Sequence, residues 1–259
     1  MFLCWYLDNY NLHMAPIITW ATTLLATNLL YSYSSDKMIH IVEYGSNQYE
    51  SYIGVTPKKY TVEKFGQKVD ALVAINGGFH GFNSPEQRGP ITKLQIDGQV
   101  IVPYNNFTIL GQNGLGEQHV DSILSIESTH HQVSIGHIES DSYIYSGPLL
   151  LENGVKTNVD NKWSNARNPR TVVCTRGEKI LFIVVDGRRM GEGVTGMTLT
   201  EVQSLLLDVQ CENAINMDGG GSTTMYIKGY GIVNTPRSSD GKGNYTTIAR
   251  SVSTIIYMK

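Results

Sequence analysis

The chain has 259 residues, 41% of them hydrophobic and 17% charged, with a formal net charge of −3. That balance excludes a disordered chain, and with Lys and Arg forming no stripe it excludes the basic footprint of a nucleic-acid binder. The 26 glycines and 15 tyrosines favour strands and turns over a helical bundle.

Residues 15–31 are mostly apolar but interrupted by Thr19, Thr22, Thr23, Thr27 and Asn28, and no Lys or Arg occurs before Lys37. The basic region of a secretory signal is missing, and the run is short and polar for a membrane-spanning helix. Residues 1–35 read as early strands or a short helix of the domain, with a divergent signal or anchor as the alternative. The compartment is left open; an extracytoplasmic or virion-associated setting is compatible. No repeat, linker or charge run divides residues 36–259, which read as one domain.

Residues 38–44 read as a strand, and Tyr60 to Gly66 as a short helix. Ala71 to Ile75 is a continuous apolar run, the pattern of a strand buried on both faces. Residues 91–102 alternate around Asp97-Gly98, a hairpin signal. Residues 104–140 carry weak signals for short strands and loops; His130, His131 and His137 within them match no metal-ligand spacing. Leu149 to Leu151, Thr171 to Cys174 and Ile180 to Val185 read as strands. Thr198-Leu199-Thr200-Glu201 is a capping box opening a helix, followed by Val202, Leu205, Leu206 and Val209 at helical spacing. Ala214 to Met217, Thr223 to Ile227 and Ser251 to Met258 complete the strands. The three cysteines, Cys4, Cys174 and Cys211, form no framework or zinc motif, and a Cys174–Cys211 pair is compatible but not argued. The economical fold class is α+β, a single domain with a mixed β-sheet flanked by helices, and the helix from Thr198 permits a parallel crossover.

Three strand-like runs end in one grammar: Asn76-Gly77-Gly78, Asp186-Gly187-Arg188 and Asp218-Gly219-Gly220-Gly221-Ser222. Each places a short polar side chain at a strand end and then frees the backbone. Three independent turns would read the same way; a shared site is the sharper expectation. Asp186 and Asp218 are the candidate nucleophile, base or acid. Arg170, Arg188 and Arg250 are candidate anion clamps, and the N–H groups of Gly219, Gly220, Gly221 and Ser222 a candidate anion nest. Gly191-Glu192-Gly193-Val194-Thr195-Gly196 matches a dinucleotide fingerprint but lacks the βαβ context, so it reads as a flexible loop or lid. No cofactor is expected; a divalent cation, calcium or magnesium, would be gathered by Asp186, Asp218 and Asp240.

These motifs resemble the phosphodiester glycosidase family, that of the lysosomal uncovering enzyme. The resemblance rests on Ala74-Ile75-Asn76-Gly77-Gly78-Phe79, Arg167-Asn168-Pro169-Arg170-Thr171, Val184-Val185-Asp186-Gly187-Arg188 and Gly196-Met197-Thr198-Leu199-Thr200-Glu201. It continues through Asn216 to Thr224, Val233-Asn234-Thr235-Pro236 and Arg250-Ser251-Val252. His80 stands where the family often has a second aromatic, and Ser251 where it often has Pro. The resemblance implies hydrolysis of a sugar-1-phosphodiester between the anomeric carbon and phosphate, on a small-molecule or glycan substrate. Arg170, Arg188, Arg250 and the glycine nest would then hold phosphate, Asn76, Gly77 and Gly78 would line the sugar or phosphate, and Asp218 or Asp186 would serve the anomeric carbon. The rival expectations are a non-catalytic phosphoglycan-binding module and a phosphodiesterase cutting the P–O bond.

Overall fold

The computed structural model describes residues 18–36, 38–56, 60–81, 89–103, 120–159, 164–239 and 244–259. Apolar runs broken by Gly, Asn and Asp fold as short strands. In chain order these are β1 (Trp20–Ala26), β2 (Leu29–Ser34), β3 (Ile39–Gly45) and β4 (Ser51–Val55), then helix α1 (Val62–Lys68) and β5 (Val73–Asn76). The hairpin β6 (Leu94–Ile96) and β7 (Gln99–Val102) turns at Asp97-Gly98, and β8 (Ser122–Ile126), β9 (Val133–Gly136) and β10 (Ser142–Ser146) follow. Next come β11 (Leu149–Glu152), β12 (Val155–Lys156), β13 (Arg170–Arg176), β14 (Lys179–Val185), helix α2 (Leu199–Asp208) and β15 (Asn213–Asn216). The chain closes with β16 (Met225–Ile227), β17 (Gly231–Ile232), β18 (Ser238–Ser239), β19 (Tyr245–Thr246) and β20 (Thr254–Met258).

An eight-stranded sheet runs in the order β1-β2-β3-β14-β13-β15-β11-β12, beside two five-stranded sheets, β7-β6-β10-β8-β9 and β17-β16-β5-β20-β4. The pairings that carry the large sheet are all antiparallel, and so are those of the two smaller sheets. The expected mixed sheet is therefore corrected: strands make up 45% and helices 11% of a mainly β fold. The reason lies in the crossover. Helix α2 does connect two strands of like direction, β14 and β15, but β13 sits between them and pairs antiparallel with both.

Strand β14 reads apolar throughout because both of its faces are buried. Ile180, Phe182 and Val184 enter a core shared with the smaller sheets, alongside Ile75, Leu94, Leu124 and Met225. Leu181, Ile183 and Val185 enter a second core beneath α2, against Leu199, Val202, Leu205 and Leu206. Full burial of such a side chain contributes about 1.5–3 kcal/mol. The capping box at the start of α2 is complete: Thr198 accepts from the Glu201 N–H and Glu201 accepts from the Thr198 N–H. A disulfide joins Cys174 on β13 to Cys211, just after α2, within this second core. Residues 20–34 form the hairpin β1–β2, which extends the large sheet through β3. No helix among the described residues is long and apolar enough to cross a membrane.

Candidate active site

The three strand ends do meet. The Asp218 N–H donates to the Gly77 carbonyl at 3.0 Å, and the Asn76 side-chain amide donates to the Asp218 carbonyl at 2.5 Å. Asn76 Oδ1 in turn accepts from the Thr171 hydroxyl at 2.8 Å and the Thr224 N–H at 3.2 Å. Asn76 is 1% exposed and is a brace between loops. The glycines allow the same close approach. A Cβ on Gly77 would lie 2.5 Å from the Thr254 hydroxyl, one on Gly78 2.8 Å from Ile144, and one on Gly219 2.7 Å from the Pro169 carbonyl.

The two aspartates occupy different environments. Asp186, 1% exposed, accepts from the Asn234 amide and from the Thr235 N–H, both at 2.8 Å. His40 lies 3.8 Å away and Arg189 3.6 Å away. These groups enclose the buried carboxylate, as in a loop clamp. Asp218 is 15% exposed, with His80 Nδ1 at 3.2 Å and Arg250 at 3.7 Å from Oδ2. The Ser222 hydroxyl donates to the same oxygen at 2.5 Å. Burial pushes the Asp218 carboxyl up, but the hydrogen bond and charge of His80, the Arg250 guanidinium and Ser222 outweigh it and hold the group below the usual carboxylate range.

The arginines divide similarly. Arg170 is 1% exposed and donates to the carbonyls of Met197 at 3.0 Å and Ala166 at 2.6 Å. Burial, then the nearby Arg188 charge, lowers its pKa to about 10. It clamps the loop around Ala166 to Met197. Arg188 and Arg250 flank the glycine turn instead: a Cβ on Gly220 would meet the Arg188 guanidinium at 2.9 Å, and one on Gly221 would meet Arg250 at 3.2 Å. Arg188 donates to Asn168 Oδ1 and the Arg237 carbonyl and stacks on Tyr245. Arg250 donates to Ser222 Oγ. Both guanidiniums have their pKa lowered, first by burial.

The expected four-donor nest is smaller than the motif suggests. The Gly220 N–H donates to the Pro169 carbonyl at 2.9 Å and the Ser222 N–H to the Gly219 carbonyl at 3.1 Å. The Gly219 and Gly221 N–H groups carry no backbone bond among the described residues. The expected flexible loop at Gly191 to Gly196 is pinned: Asn168 and Met197 exchange backbone hydrogen bonds, and Arg189 pairs with Val194. Gly196, at φ +94°, presses on the Asn168 backbone, which a Cβ would meet at 2.5 Å. Among the described residues no three His, Cys, Asp or Glu side chains gather where they could hold a metal ion, and Asp240 lies outside those residues.

Sequence reasoning does not mark His80, His40, Asn234 or Arg189 as site residues. Their partners lie 138, 146, 48 and 3 positions away in sequence, counted from His80 to Asp218, His40 to Asp186, Asn234 to Asp186 and Arg189 to Asp186. Only the Arg189–Asp186 spacing is local enough to be visible from the sequence.

A carboxylate, a histidine and two guanidiniums gather around a glycine turn on a mainly β scaffold. Residues 70–259 match the phosphodiester glycosidase family model, and the chain belongs to that family. It is 27% identical over 199 residues to YomE, an uncharacterized SPbeta prophage-derived protein of Bacillus subtilis, covering 74% of this chain and 29% of that protein. It is 27% identical over 213 residues to human N-acetylglucosamine-1-phosphodiester alpha-N-acetylglucosaminidase, covering 77% of this chain and 40% of the enzyme. The chain thus spans less than half the length of these relatives. The catalytic domain of the zebrafish enzyme, auto-inhibited by its pro-peptide, shares the fold with a TM-score of 0.64 at 20% identity, over 94% of this chain and 83% of that one.

Proposed function

We propose that the chain hydrolyses a sugar-1-phosphodiester between the anomeric carbon and the phosphate, releasing the free sugar and a phosphomonoester. The observation that carries this reading is the partly exposed Asp218 carboxylate, held ionised between His80 and Arg250 beside the Arg188-flanked glycine turn. A phosphomonoester leaves readily, so the reaction asks less of a general acid than ordinary glycoside cleavage does. It asks for cations on the phosphate and a carboxylate near the positive charge that develops at the anomeric carbon. Arg188 and Arg250 supply the first, and Asp218 the second, as nucleophile, as base for water or as electrostatic partner. Asp186 keeps the Asn234–Thr235 segment in place. The reading needs no metal ion, because the guanidiniums supply the positive charge. The family relatives make N-acetylglucosamine-1-phosphodiesters the first substrates to try. The buried Cys174–Cys211 disulfide supports an extracytoplasmic setting, since cytosolic thiols are kept reduced.

Hydrolysis in ¹⁸O-labelled water tests the proposal. Label in the sugar, lost with Asp218→Asn, is the expected result. Label in the phosphate would establish P–O cleavage, and binding without turnover would establish a phosphoglycan-binding module.

A further inference from the structure

An open cavity lies beside His40, a neighbour of Asp186. His40 Nδ1 shares a 2.8 Å hydrogen bond with the Tyr31 hydroxyl, while its Nε2 faces Asp186. His40, Tyr31 and Tyr33 together with Tyr230, Ile232 and Val233 line an open cavity of about 250 Å³. The His40 ring is 6° from the plane of Tyr31 and 29° from that of Tyr33, with centroids 6.1 Å and 6.5 Å apart. Tyr230, 59% exposed, sits on the tight turn between β16 and β17, at the seam of two sheets.

The chemistry of the lining is specific. Among the described residues no Lys, Arg, Asp or Glu lines it. The hydroxyls of Tyr33 and Tyr230 make no hydrogen bond among the described residues. Aromatic faces beside unpaired neutral hydroxyls suit a ring that is apolar on its C–H face and polar at its rim. A volume just under the usual range for ligand pockets, about 300–1,000 Å³, holds a single such ring. The Asp186 carboxylate behind His40 disfavours an anion, in contrast to the Arg188–Arg250 site. We propose that this cavity is a second binding site, which takes one neutral pyranose ring of a glycan. It lies outside the hydrolytic site, and Val233 in its wall directly precedes Asn234, which holds Asp186.

Saturation-transfer NMR on the full chain, with free N-acetylglucosamine and glucose as probes, tests this. Wild type should transfer saturation to the ring protons. Tyr230→Ala and Tyr33→Ala should each weaken binding roughly 2- to 10-fold, the worth of one aromatic contact. Asp218→Asn should bind as wild type does, and inorganic phosphate should not compete. Tyr230 is exposed, so its removal leaves the fold intact; Tyr33→Phe, which deletes only the hydroxyl, covers the case in which Tyr33→Ala unfolds. Absence of transfer, insensitivity to the tyrosine variants, loss of binding in Asp218→Asn, or competition by phosphate would each overturn the proposal. Binding that persists without any hydrolysis would sink only the catalytic reading.

Discussion

Replacing each aspartate by asparagine separates the two carboxylates by stability. Asp186 accepts two hydrogen bonds at 2.8 Å while 1% exposed. Asparagine keeps one acceptor and turns the other oxygen into an NH₂ group aimed at a donor, either the Asn234 amide or the Thr235 N–H. Losing one charge-assisted bond costs about 1.5–3 kcal/mol, and the stranded buried donor a further 1–3 kcal/mol. Asp186→Asn should therefore lower stability by about 2.5–6 kcal/mol, a large share of the roughly 5–15 kcal/mol a domain has. That corresponds to a drop of roughly 5–24 °C in Tm at this size. Asp218→Asn removes a carboxylate that is 15% exposed but braced by the buried His80 and Ser222, and should lower Tm by less than Asp186→Asn does while abolishing turnover. Urea denaturation and calorimetry of both variants, with hydrolysis assayed in parallel, check this. An Asp186→Asn protein as stable as wild type would refute the assignment of Asp186 as a loop clamp.

The depressed Asp218 pKa sets an acid limit with a definite sign. Its ionised form contributes stability that is present above the unfolded value, about 3.9, and is lost as pH falls through the lower folded value. His80→Gln removes one group that lowers that pKa, so the acid limb of the activity profile should move to higher pH; an unmoved limb in a pH–rate titration would refute the coupling. Gly196→Ala should cost roughly 3 kcal/mol or more, since φ is +94° and the new Cβ meets Asn168. Gly98→Ala, at φ +75° with open space around it, should cost only about 1–2 kcal/mol, and denaturant midpoints compare the two. Reducing the Cys174–Cys211 disulfide, which spans 37 positions, should remove about 4 kcal/mol, read as a lower midpoint in dithiothreitol. Turnover should survive EDTA, because Arg188 and Arg250 carry the phosphate charge; loss that added calcium or magnesium restores would refute that.

Local sequence determined what local physics controls. The apolar run at Ala71 to Ile75 identified a doubly buried strand, Ile180 to Val185 a strand, Asp97-Gly98 a hairpin, and Thr198 with Glu201 a helix start, because burial period, turn chemistry and capping act within a few residues. The motifs also carried the family. What they left open depended on distant neighbours. Strand direction was not legible, because inserting β13 between β14 and β15 makes the sheet antiparallel without altering either strand's own pattern. The same Asp-Gly signature covers a sealed clamp at Asp186 and a half-open carboxylate at Asp218. The difference comes from Asn234 and His40 on one side and from His80 and Arg250 on the other, side chains that only tertiary packing brings near. The glycines likewise read as freedom for a ligand, and packing gave them a second role, leaving room for Arg188, Arg250 and the Pro169 backbone.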